Sequence, residues 1–125
     1  MDKENILMRI QDCGIVAVVR AESADKAERI VDACMEGGVA AIELTFSVPH
    51  ADRVIETLSY KYDPKDIILG AGTVMDAATA RIAMLSGAQY IVSPYLDLET
   101  LRMCNRYRVP MLPGVMSVRE AVTAM

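Results

Sequence analysis

Along this chain, short apolar runs alternate with longer stretches whose apolar residues recur at helical spacing, and glycine or proline stands at most changeovers. Residues 2–11 read as a short helix with Ile6, Leu7 and Ile10 on one side, broken by Gly14. Ile15-Val16-Ala17-Val18-Val19-Arg20 is a strand that ends in a cation. Ser23 then caps a helix in which Ala27, Ile30, Val31 and Cys34 fall at i, i+3, i+4 and i+7, and Gly37-Gly38 stops it. The run Val39-Ala40-Ala41-Ile42-Glu43-Leu44-Thr45-Phe46 has the composition of a strand buried on both faces of a parallel sheet. Pro49 is placed for the first turn of a helix with Ala51, Val54, Ile55 and Leu58 inward. After a polar loop carrying Pro64, Ile67-Ile68-Leu69 is a third strand that runs into Gly70-Ala71-Gly72-Thr73. Asp76 caps a helix with Ile82 and Leu85 inward, ended by Gly87. Tyr90-Ile91-Val92 is a strand closed by Ser93-Pro94, and Asp97 caps a helix to about Arg106. Pro110-Met111-Leu112 is a fifth strand closed by Pro113-Gly114. Ser117 and Glu120 form a capping box for a last helix whose apolar positions are Val118, Ala121, Val122 and Met125.

Strict β/α alternation with no linker makes the 125 residues one domain of parallel strands and right-handed crossovers. Two α/β architectures share this order. A five-stranded open sheet is complete at this length. A (β/α)8 TIM barrel typically takes about 250 residues, so only its first five units would be present. The last helix has no stop signal, which leads us to expect a chain cut within the longer architecture.

Composition narrows function by exclusion. The 13 basic residues are scattered and outnumbered by 17 acidic ones, so no nucleic-acid surface is expected. No apolar run approaches the roughly 18 residues of a membrane span, and the charged Met1-Asp2-Lys3-Glu4-Asn5 is no signal peptide. Three separated cysteines without a CxxC pair suit the reducing cytoplasm. His50 is the only histidine and has no Cys/His cluster beside it, so no metal site is expected and a solvated surface role suits it.

Ligands of both architectures bind at the carboxyl ends of the strands. Those ends bring together Arg20, Glu43 with Thr45, Gly70 to Thr73, Ser93-Pro94 and Pro113-Gly114. Glu43 stands out, because a carboxylate inside an apolar strand is costly unless it is paired with a cation or tuned for proton transfer. Gly70-Ala71-Gly72-Thr73 alone reads equally as a tight strand-to-helix turn, and Met75 breaks a GxGxxG match. Thr45 is expected among the substrate-binding residues of this edge, although Thr45 and Ser93, each taken singly, could merely satisfy backbone groups.

Taken in order, Ile15 to Arg20, Gly37-Gly38-Val39 leading to Ile42-Glu43-Leu44-Thr45, Gly70-Ala71-Gly72-Thr73-Val74, Ser93-Pro94 and Pro113-Gly114-Val115-Met116 resemble the 2-keto-3-deoxy-6-phosphogluconate (KDPG)/4-hydroxy-2-oxoglutarate aldolase family. The resemblance spans nearly the whole chain. It implies a (β/α)8 barrel, usually a homotrimer, that acts on keto acids as a class I aldolase through a lysine Schiff base, with no metal or other cofactor. By the same resemblance Glu43 is the general acid/base, Thr73 binds the pyruvate carboxylate and Pro94 lines the pocket. Some members carry an arginine four residues after the glutamate, where this chain has Ser47. Arg20 is expected to supply that charge from the first strand, since a carboxylate ligand needs a cation or a helix N-terminus.

The family's Schiff-base lysine lies on the sixth strand, which this sequence does not reach. Lys3, Lys26, Lys61 and Lys65 are its lysines, and none is expected at a strand's carboxyl end. The chain alone is therefore expected to be inactive as an aldolase. It is also expected to be unstable as a monomer, because its first and fifth strands would lack partners. Two other readings stay open: a non-catalytic open-sheet binding or assembly module, and another barrel enzyme acting on phosphorylated sugars.

Overall fold

A computed structural model describes residues 2–125; Met1 lies outside the described residues. Five of its six helices begin where a side chain can take up an orphaned backbone N–H. Asp2 accepts from Asn5 at the start of α1 (Lys3–Cys13), and Ser23 from Lys26 at the start of α2 (Ala24–Glu36). Asp76 accepts from Thr79 before α4 (Ala77–Ser86), Asp97 from Thr100 before α5 (Leu98–Arg106), and Ser117 from Glu120 before α6 (Val118–Ala124). The reciprocal arm of the last cap reaches one residue further back than a standard capping box, to the Met116 N–H at 3.4 Å. The exception is α3 (Ala51–Lys61). It starts two residues after Pro49, behind an exposed His50 in the left-handed region with no side-chain cap, so Pro49 belongs to the preceding turn rather than to the helix.

The strands β1 (Ala17–Val19), β2 (Ala41–Thr45), β3 (Ile68–Gly72), β4 (Tyr90–Ser93) and β5 (Met111–Pro113) form one sheet in sequence order. All four pairings are parallel, with Glu43 opposite both Val18 and Gly70. An open doubly wound sheet reverses its strand order so that helices cover both faces. Here the order never reverses, which is the winding of a barrel wall, and the five β/α units are a partial TIM barrel. Ile42, Leu44, Leu69, Ala71 and Ile91 face the helical layer with Val31, Val54, Ile55 and Leu58.

The opposite face carries a second, smaller cluster of Ile6, Ala41, Ile68 and Tyr90, with Ile10, Cys13, Val16 and Val92 packed on it. Helix α1 closes this cluster from the amino edge of the sheet. Arg9 donates to the carbonyls of Pro64 (3.0 Å) and Lys65 (2.8 Å) just ahead of β3. Lys3 and Glu4 reach Asn105 (3.0 Å) and Arg108 (2.7 Å) ahead of β5.

Three expectations need correction. The first strand is shorter than its apolar run, since Ile15 and Val16 only lead into β1. In α4 the inward residues are Ala80 and Ala83, while Ile82 and Leu85 are 47% and 70% exposed. The two pairs lie two residues apart, about 200° around the helix. Wedged between α3 and α5, α4 buries the methyl groups of Ala80 and Ala83, packs Met84 beside them and turns Ile82 and Leu85 outward. Third, α3 begins later than Pro49 suggests, as described above. Helix α6 buries none of its residues.

Candidate active site at the carboxyl edge of the sheet

Within β2 every residue except Glu43 is buried; Glu43 is half-buried. Its side chain does not stay beside its register partner Gly70. It runs forward along the neighbouring strand until its carboxyl group lies against the α-carbon of Gly72, where a side chain's first carbon would overlap Oε1 and stand 2.7 Å from Cδ and Cγ. The space beside Gly70 is occupied by the ring of Tyr90, which crosses that glycine and donates its hydroxyl to the Ile42 carbonyl at 2.7 Å. Burial pushes the Glu43 carboxyl above the usual carboxylate range, and the charge of Arg20 pulls it partly back. Burial, then the nearby Glu43, drives the Tyr90 phenol up as well.

Arg20 stands exposed just beyond β1 and forms no ion pair with Glu43 among the described residues, so it acts on the carboxyl from a distance. Thr45 is fully buried. Its hydroxyl lies 3.3 Å from the Val19 carbonyl and 2.7 Å from the Ser47 hydroxyl, which braces the ends of β1 and β2 against each other. Ser93 likewise spends its hydroxyl on the backbone of Tyr95. For both, the alternative of satisfying backbone groups is the geometry found.

Thr73 is half-buried and sits at φ 55°, in the left-handed region that β-branched residues rarely enter. It is flanked by fixed backbone: the Gly72 carbonyl accepts from Phe46 at 2.9 Å and Val74 donates to Val92 at 3.1 Å. Strain of this kind concentrates at functional sites. Pro94 is exposed beside the Ser93 carbonyl, which takes the Gly114 N–H at 2.8 Å. Tyr95 ties this loop to that of Thr73 by donating to the Met75 carbonyl at 2.6 Å.

Glu43, Arg20, Thr73 and Pro94 thus share one edge, with Thr45 behind them. A carboxyl of raised proton affinity, partly shielded from water and facing a cation, is equipped for proton transfer. The contributions of Gly72 and Tyr90 were not anticipated, although a glycine inside a strand signals close approach of another group. Lys3 and Lys61 are held by Asn105 and Asp32, and Lys65 is exposed ahead of β3. Lys26, in the first turn of α2, pairs with Glu22 at 3.2 Å. Among the described residues no three His, Cys, Asp or Glu side chains are grouped to hold a metal ion, and no helix is long and apolar enough to cross a membrane.

The sequence model of the KDPG and KHG aldolase family matches residues 6–125. The 2-dehydro-3-deoxy-phosphogluconate aldolase of Treponema pallidum is 32% identical over 111 residues, covering 89% of this chain and 52% of that protein. The enzyme of the same name from Pseudomonas aeruginosa is 37% identical over 95 residues, 76% of this chain and 42% of its own length. A crystal structure of KDPG aldolase from Legionella pneumophila, with pyruvate captured as a covalent carbinolamine intermediate, superposes with a TM-score of 0.80 at 28% identity. That match covers 87% of this chain and 52% of the other. The chain spans about half the length of the curated relatives it matches.

Proposed function

The chain belongs to the KDPG and KHG aldolase family, and from that premise we propose that the carboxyl edge of its sheet is the acid/base half of a class I aldolase site. The observation that carries this reading is the Glu43 carboxyl, held against Gly72 with its proton affinity raised by burial. The substrates we assign are 2-keto-3-deoxy-6-phosphogluconate, cleaved to pyruvate and glyceraldehyde 3-phosphate, and 4-hydroxy-2-oxoglutarate, cleaved to pyruvate and glyoxylate.

A lysine amine adds to the C2 carbonyl, and the carbinolamine then loses its hydroxyl as water. Protonated Glu43 supplies that proton and becomes the carboxylate. The carboxylate next takes the proton of the C4 hydroxyl as the C3–C4 bond breaks, its electrons passing into the enamine while C4–O becomes the aldehyde carbonyl. A group that both gives and takes a proton works best with its affinity moved toward neutrality. Thr73 and Arg20 hold the substrate carboxylate, Pro94 lines the pocket, and Thr45 keeps the β1 and β2 ends in place. The amine comes from a sixth strand rather than from Lys3, Lys26, Lys61 or Lys65, so this chain by itself forms no Schiff base. No metal or cofactor takes part, and the complete enzyme is a cytoplasmic homotrimer.

Borohydride trapping with pyruvate tests the assignment. A polypeptide that continues through a lysine-bearing sixth strand gains one reduced pyruvyl group on that lysine, and the 125-residue chain gains none. An adduct on Lys26, the lysine beside Arg20 and Glu22, would overturn the lysine assignment. No adduct on the longer polypeptide would overturn the aldolase reading itself.

A further inference from the structure

Gly70 and Gly72 point to the same face of β3, two residues apart, and each is filled by a neighbour's side chain: Gly70 by the Tyr90 ring, Gly72 by the Glu43 carboxyl. Neither glycine has a positive φ, so the backbone would accept alanine at both. What each position lacks is room. Glu43 is in register with Gly70, yet its carboxyl lies over Gly72, about 6–7 Å nearer the carboxyl edge. Tyr90, itself opposite Gly70 and anchored on the Ile42 carbonyl, blocks the nearer seat.

We propose that Gly72 is a positioning residue for Glu43, its missing side chain being the slot through which the carboxyl group reaches the edge of the sheet where substrate binds. The proposal rests on Glu43 being the acid/base group and adds how that group is aimed. With alanine at 72 the Glu43 chain must swing away from the sheet into solvent, since the Tyr90 ring closes the way back.

A stability cycle on this chain tests the slot, using wild type, Gly72→Ala, Glu43→Ala and the double variant at one fixed concentration. Alone, Gly72→Ala lowers Tm by on the order of 5–10 °C, as overpacking does. With Glu43 already removed, the same change costs no more than about 2 °C, the range of an unobtrusive substitution. An equal loss in both backgrounds would overturn the proposal, because Gly72 would then serve the strand rather than the glutamate. If Gly72→Ala alone does not fold, a folded double variant gives the same support and an unfolded one refutes it. Carbon-13 titration of the carboxyl supplies the readout that a purely structural role would not move. In folded Gly72→Ala, Glu43 titrates closer to an ordinary glutamate, and an unchanged titration counts against the slot. Neither measurement uses turnover, so missing pyruvate adducts would sink the aldolase reading and leave the slot standing.

Discussion

Glu43 bears a cost that a neutral isostere would not. Its proton affinity is raised in the folded chain, so the native state binds the proton more tightly than the unfolded state does. The penalty is absent below the ordinary glutamate pKa of about 4.3 and full above the raised folded value. Wild type therefore loses stability relative to Glu43→Gln as pH rises through that window. Urea unfolding of both proteins at pH 3 and pH 7 checks this: the variant is the more stable at pH 7 and the two converge at pH 3. A difference independent of pH would show that Glu43 is not held proton-hungry by burial. On the acid/base role proposed above, the same substitution in a complete barrel should lower kcat by roughly 10²–10⁴, the usual contribution of general acid–base catalysis. Glu43 was legible in the sequence because a charge interrupts an apolar run. Gly70 and Gly72 were legible as glycines, but a glycine does not announce whether it serves a turn or a close contact. The strand runs straight through both, and the turn starts at Thr73.

Among the elements, α1 is the one whose apolar residues found an unexpected use. Its periodicity gave Ile6 and Ile10 a common side, and that side seals the inner face of the sheet against Ile68 and Tyr90. Ile6 is 2% exposed in the cluster with Ala41, Ile68 and Tyr90, so Ile6→Ala leaves a void there. The expected cost is about 2–5 kcal/mol, measured as a fall in the urea midpoint. A change below about 1 kcal/mol would show that α1 rests on the sheet without sealing it. Helix α4 shows where periodicity misleads. Its isoleucine and leucine share one face and its alanines another, and the space between α3 and α5 chose the alanines. Packing distance is set by neighbours, which lie outside the window in which periodicity is read.

At the scale of the molecule, β/α alternation specified the parallel sheet, while strand order decided between the two architectures that alternation allows. Order was hidden in the sequence because it depends on which strands meet in space. Among the described residues the sheet has two free edges, β1 and β5, each paired on one side only. Around them Ile15, Val18 and Leu112 are 59%, 54% and 40% exposed. Unprotected apolar edges recruit further strands. Light scattering of the 125-residue chain should accordingly give a mass above the monomer that grows with concentration, and Val18→Lys with Leu112→Lys should shift it back toward 13.7 kDa. A monomer at all concentrations would show that the edges are inert. The seat of α1 also imposes an order in time. The partners that bury Ile6 extend to Tyr90, and its polar ties run on to Asn105 and Arg108. An 11-residue helix has little stability on its own in water. On the ribosome, then, α1 waits through the synthesis of the four strands that follow it before its native berth exists, and a helix made ahead of the sheet is among the last elements to settle.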